Sequence, residues 1–116
     1  MLEAGLELDP SQAPLAHLLA RVLSAAPDPS VRDAAGSLLL ARKLYEAMPR
    51  LDHAETVAMA IAEGGNPEQA AIWQQRVVDQ IRSAGDEAPA GMLERAERWL
   101  ATYQRGEPIR SPWLDP

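Results

Sequence analysis

The chain has 116 residues, 47% of them apolar but only 4% aromatic, with no Phe and no Cys. That is one domain's worth of sequence, and a core built from Ala, Leu, Val and Ile favours close helix packing over a β-sandwich. The missing cysteines exclude disulfides, thiolate catalysis and Cys-ligated zinc, and the net charge of −6 with scattered cations argues against a nucleic-acid partner.

Residues 1–10, MLEAGLELDP, read as the end of a helix stopped at Asp9-Pro10. The segment has acids where a secretory signal carries basic residues, and no run in the chain approaches about 18 apolar residues. The expectation is a cytoplasmic protein without membrane insertion. Ser11 can cap the next helix, whose apolar residues Leu15, Leu18, Leu19, Val22, Leu23 and Ala26 recur at three- and four-residue steps. Pro27-Asp28-Pro29-Ser30 ends it.

A second helix is expected over 31–48, with Leu38, Ala41, Leu44 and Tyr45 on one face and Pro49 as its stop. A third over 53–63, capped by Asp52, carries Ala54, Val57, Ala58 and Ile61. Gly64 and Gly65 offer the left-handed backbone that closes a helix, and Asn66 then caps a fourth helix with Pro67 at its first position. The stripe of that helix is Ala70, Trp73, Val77 and Ile81. A fifth helix is expected over 88–105, with Leu93, Ala96, Leu100 and Tyr103 together, and Gly106 ends it. The tail EPIRSPWLDP has too many prolines for a helix and either straps back on the domain or moves freely. No stretch alternates like a strand, so the fold class is all-α.

Laying Leu19, Ala20 and Leu23 over Val57, Ala58 and Ile61 gives an offset of 38 residues, and laying Ser37, Leu38, Ala41 and Leu44 over Ala70, Ala71, Gln74 and Val77 gives 33. One helical hairpin therefore recurs, with a longer internal loop in its first copy. Short side chains at Ala20 and Ala58 let the second helix of each pair approach at Ser37 and Ala70, and Leu23 and Ile61 fill the space one turn later. Leu19, Leu38, Ala41, Val57, Trp73 and Val77 complete the packing set.

This pattern resembles the tetratricopeptide repeat, specifically the C-terminal end of a bacterial array. Leu6-Glu7-Leu8-Asp9-Pro10 resembles the closing turn of a preceding repeat, residues 11–49 and 52–84 resemble two repeats, and 87–106 resemble the capping helix, leaving 107–116 as tail. Ala20 and Ala58 stand where Gly is common, Leu23 and Ile61 where Tyr is common, and Gln74 replaces an aromatic. The resemblance implies a short solenoid of antiparallel hairpins, about two repeats plus an N-terminal remnant and the cap, whose opening continues a longer array. It also implies a non-enzymatic scaffold that binds a peptide or helix of another protein in a groove lined by the first helices. By position, that groove holds His17, Arg21 and Ser24 from the first hairpin and Glu55, Met59, Ala62 and Glu63 from the second. Arg21 is the expected carboxylate anchor and Met59 the apolar contact.

The alternative is a self-associating module that forms a homodimer through apolar ends near Leu2, Leu6, Leu8 and Leu18. His17 and His53 are the only imidazoles and lie 36 residues apart. They read as surface histidines, so no metal, cofactor or catalytic residue is expected. Neighbouring acids such as Glu94 with Glu97 read as solvated faces, Ser30 and Ser37 have no evident base, and Gly64-Gly65 follows a helix, which excludes a phosphate-cradling loop. Trp73 and Trp99 are expected between the fourth and fifth helices, and Trp113 either folds onto the cap or anchors a partner.

Overall fold

A computed structural model describes residues 10–110. The expectations for Leu2, Leu6, Leu8, the repeat-end remnant and Trp113 lie outside the described residues. Five α-helices follow one another: α1 (Ala13–Ala25), α2 (Ala34–Ala47), α3 (Leu51–Glu63), α4 (Pro67–Ala84) and α5 (Met92–Gln104), with 3-10 turns at Pro10–Gln12 and Gly85–Glu87. Among the described residues there is no strand, and no helix is long and apolar enough to cross a membrane. Each helix packs on the next in the chain, and α1 also packs directly on α3.

Two of the helix starts, those of α2 and α4, are set by a side-chain cap. Asn66 caps α4 as expected, its side-chain oxygen accepting from the Gln69 amide at 3.3 Å. The second helix begins at Ala34 rather than residue 31, because Asp33 accepts from the Gly36 amide at 3.0 Å and fixes the start there. A Cβ on Gly36 would lie 2.4 Å from that carboxylate, so a larger residue there would make the Asp33 side chain shift. The third helix starts at Leu51, and Asp52 lies inside its first turn instead of capping it. The fifth starts at Met92 and not at 88, since Gly91 holds a left-handed φ of 82° just before it. At the α3–α4 turn it is Gly65, with φ 95°, that supplies the left-handed residue.

Ala20, Ala58 and Ala70 are fully buried, as is Ser37. The Ser37 hydroxyl donates to the Ala20 carbonyl at 2.6 Å, so α2 meets the backbone of α1 at the position where the side chain is shortest. Around these contacts two clusters form: one joins Ala20, Ala41, Val57, Ala58, Met59, Ile61 and Trp99, and the other joins Ala54, Val77, Val78, Ile81 and Ala96. Leu38 and Trp73 are partly buried against the first. Leu19 does not pack as expected: it is 49% exposed, on the same outward side of α1 as Leu15 and Leu18. Trp73 meets Tyr45 of α2 edge to face at 5.4 Å and also packs against the cluster that holds Ala96 of α5, so it joins α2 to α4 as well as facing the fifth helix. Ala58→Leu should therefore lower unfolding stability by roughly 1–3 kcal/mol through overpacking. In urea denaturation Leu39→Ala, at a position 58% exposed, should change it by no more than about 0.5 kcal/mol. Equal effects would contradict the close approach.

Candidate functional site

Ten consecutive residues of α3, His53 to Ala62, are buried. An amphipathic helix hides one stripe; this one is enclosed on every side. His53, Glu55 and Thr56 are therefore polar groups in the interior, and each must find a partner there. The Glu55 carboxylate is fully buried, with Oε1 accepting from Arg95 Nη2 of α5 at 2.8 Å and Oε2 from Gln74 Nε2 of α4 at 2.9 Å. The Gln74 amide also donates to the Ala96 carbonyl at 3.1 Å, which ties α4 to α5. Trp99 is 2% exposed and lies between two guanidinium groups, Arg21 at 5.5 Å and Arg95 at 5.2 Å from its ring centre. Burial, reinforced by Glu55, pushes the Tyr103 phenol above its usual range.

One turn earlier on α3 a second polar cluster meets α1. The Thr56 hydroxyl donates to the Asp52 carbonyl at 3.0 Å and accepts from Arg21 Nε at 3.0 Å. His17 Nε2 lies 2.6 Å from the same hydroxyl. The other ring nitrogen of His17, Nδ1, lies 3.9 Å from Asp52 Oδ2. His53 Nδ1 faces the Met48 carbonyl at 2.8 Å and must donate to it, so its Nε2 is the bare nitrogen. The two rings meet edge to face with centres 4.7 Å apart. Arg50 grips Asp52 with both arms, at 3.1 and 2.9 Å. Burial, and then the charge of Arg21, lower the His17 pKa from 6.5 to about 4.

The groove residues expected from sequence sit where α1 and α3 face α5, and that side is closed. Glu55 and Met59 are fully buried, Ala62 is 6% exposed, and Ser24 is buried with no partner for its hydroxyl. Arg21 uses its guanidinium on Thr56 and Trp99, so it is not a free carboxylate anchor. Glu63 is held by Arg32 Nε at 3.3 Å and Arg110 Nη1 at 2.8 Å. The stretch 107–110 folds back as a strap, and Ile109 enters the same cluster as Met59, Ala62, Trp99 and Tyr103. His17 is half-buried and His53 is 3% exposed, which corrects their reading as surface histidines. The Asp52–His53 contribution, Thr56 and Arg95 were not singled out from sequence.

The chain matches no family model, no curated protein and no solved structure.

Replacing Glu55 with Ala should cost about 3–5 kcal/mol in urea unfolding, because Arg95 and Gln74 lose their shared partner in the interior; a loss below about 1 kcal/mol would contradict the burial. Acid gives a second check. His17 binds its proton less readily folded than unfolded, so the unfolded chain holds more protons between about pH 6.5 and pH 4 and stability falls as pH falls through that window. In metal-free buffer, wild type should lose on the order of 2 kcal/mol more than His17→Asn between pH 6.5 and pH 4.5. Parallel stability curves would contradict the assignment.

Proposed function

We propose that this chain is a non-enzymatic helical-hairpin module, a short solenoid of the tetratricopeptide kind, that works by holding another protein. The observation that carries the reading is the outward face of α1. Leu15, Leu18 and Leu19 are 70%, 54% and 49% exposed, and their spacing puts them in one row. The opposite side of the same helix is sealed, with Ala20, Ser24 and Ala25 buried against its neighbours. A helix packed on one side and apolar on the other has the surface chemistry of an internal member of a stack, which a partner's amphipathic helix completes. With α5 and the strap filling the concave side, this end face takes over the role that the groove residues have in the resemblance.

The same face also suits a second copy of the chain, which is the competing reading. Comparing wild type with Leu15→Glu/Leu18→Glu separates them. The double variant should keep wild-type stability within about 1 kcal/mol, since both positions are solvent-exposed. If wild type sediments as a monomer and captures a protein that the variant loses, the scaffold reading holds; a dimer that the variant dissolves favours self-association. Partner capture and self-association that are both indifferent to the two leucines would overturn the proposal.

A further inference from the structure

We propose that His17, Asp52 and His53 form a binding site for a divalent transition-metal ion of the zinc class, joining α1 to the first turn of α3. This inference is independent of the leucine face. One donor atom from each of the three residues falls within a span of 4.8 Å. Zinc bonds of about 2.0–2.1 Å place neighbouring ligands roughly 3.3 Å apart, so modest side-chain rotations bring the three donors onto an ion.

Donor orientation favours this reading over a pair of packed imidazoles. A metal-bound histidine characteristically donates its second ring N–H to a carbonyl or other fixed acceptor, which sets its tautomer. His53 Nδ1 donates to the Met48 carbonyl, and His17 Nε2 is held 2.6 Å from the Thr56 hydroxyl, which is itself fixed by the Asp52 carbonyl and Arg21. The ring nitrogens not held by these partners, His17 Nδ1 and His53 Nε2, are the ones offered to an ion, with Asp52 Oδ2 beside the first at 3.9 Å. The three residues share a cleft of about 320 Å³ whose rim is Ala13, Pro14, Met48 and Arg50, with room for water at the remaining coordination positions. Two imidazoles and one carboxylate select zinc, cobalt, nickel or ferrous iron over magnesium or calcium, which prefer all-oxygen sites.

Two cations face the cluster. Arg21 is committed to Thr56 and Trp99. Arg50 competes directly for the Asp52 carboxylate, but its side chain is 64% exposed and can swing into solvent when an ion arrives. It is therefore expected to weaken the site without closing it.

The test uses the full 116-residue chain in chelator-treated buffer. Calorimetric titration with ZnCl2 should give one saturable site per chain and raise the Tm by about 5 °C or more at saturation, while MgCl2 does neither. His17→Asn and Asp52→Asn should each weaken zinc binding at least about tenfold, and Arg50→Gln should tighten it severalfold. Co2+ should develop visible absorption that zinc removes. If either ligand variant fails to fold by circular dichroism, wild type and Arg50→Gln decide the matter through the direction of the affinity change. No saturable zinc binding, or binding unchanged in all the folded variants, would overturn the proposal.

Discussion

A carboxylate without water contact sits in the middle of α3, and the neighbouring helices are placed by what it requires. A carboxylate in the interior, such as that of Glu55, is tolerated only where opposite charge and hydrogen-bond donors come to it. Arg95 arrives from α5 and Gln74 from α4, and Gln74 continues to the Ala96 carbonyl, so one acid ties together the two helices that follow α3. A buried ion pair of this kind adds little net stability over well-packed apolar side chains, but removing one partner strands the other in the interior.

The same enclosure explains why both polar clusters lie on the side facing α1 and α5. Arg21 links them: its Nε donates to Thr56 in the histidine cluster, while its guanidinium lies over Trp99 beside Arg95. The strap completes the closure, since Ile109 adds to the apolar cluster and Arg110 pairs with Glu63 at the C-terminal end of α3. Among the apolar side chains left outward, the leucine row of α1 is the one grouped on a single helix face, backed by the sealed interior behind it.

Much of this architecture was legible in the residues. The alignment of Ala20 with Ala58 and of Ser37 with Ala70 identified the close contacts because sterics at a helix crossing leave a direct mark on side-chain size. Asn66-Pro67 identified the start of α4 because cap chemistry is local. The exposure of Leu15, Leu18 and Leu19 was not legible, since periodicity finds an apolar face without showing what covers it. The histidine pair and the Glu55–Arg95 pair were missed for another reason: each joins residues 36 to 40 positions apart, and a charged residue read in isolation suggests solvent. Thr56 was equally hidden, because its importance comes only from the hydroxyl that His17 and Arg21 share.

Native-state hydrogen exchange tests the enclosure of α3 most directly. Amides from Glu55 to Ala62 should be the slowest in the chain and should open only with global unfolding, while those near the outward row of α1 and in the strap exchange through smaller openings. Exchange in the middle of α3 as fast as at Leu18 or Leu19 would contradict a helix buried on all sides, and with it the account of how the surrounding helices are held.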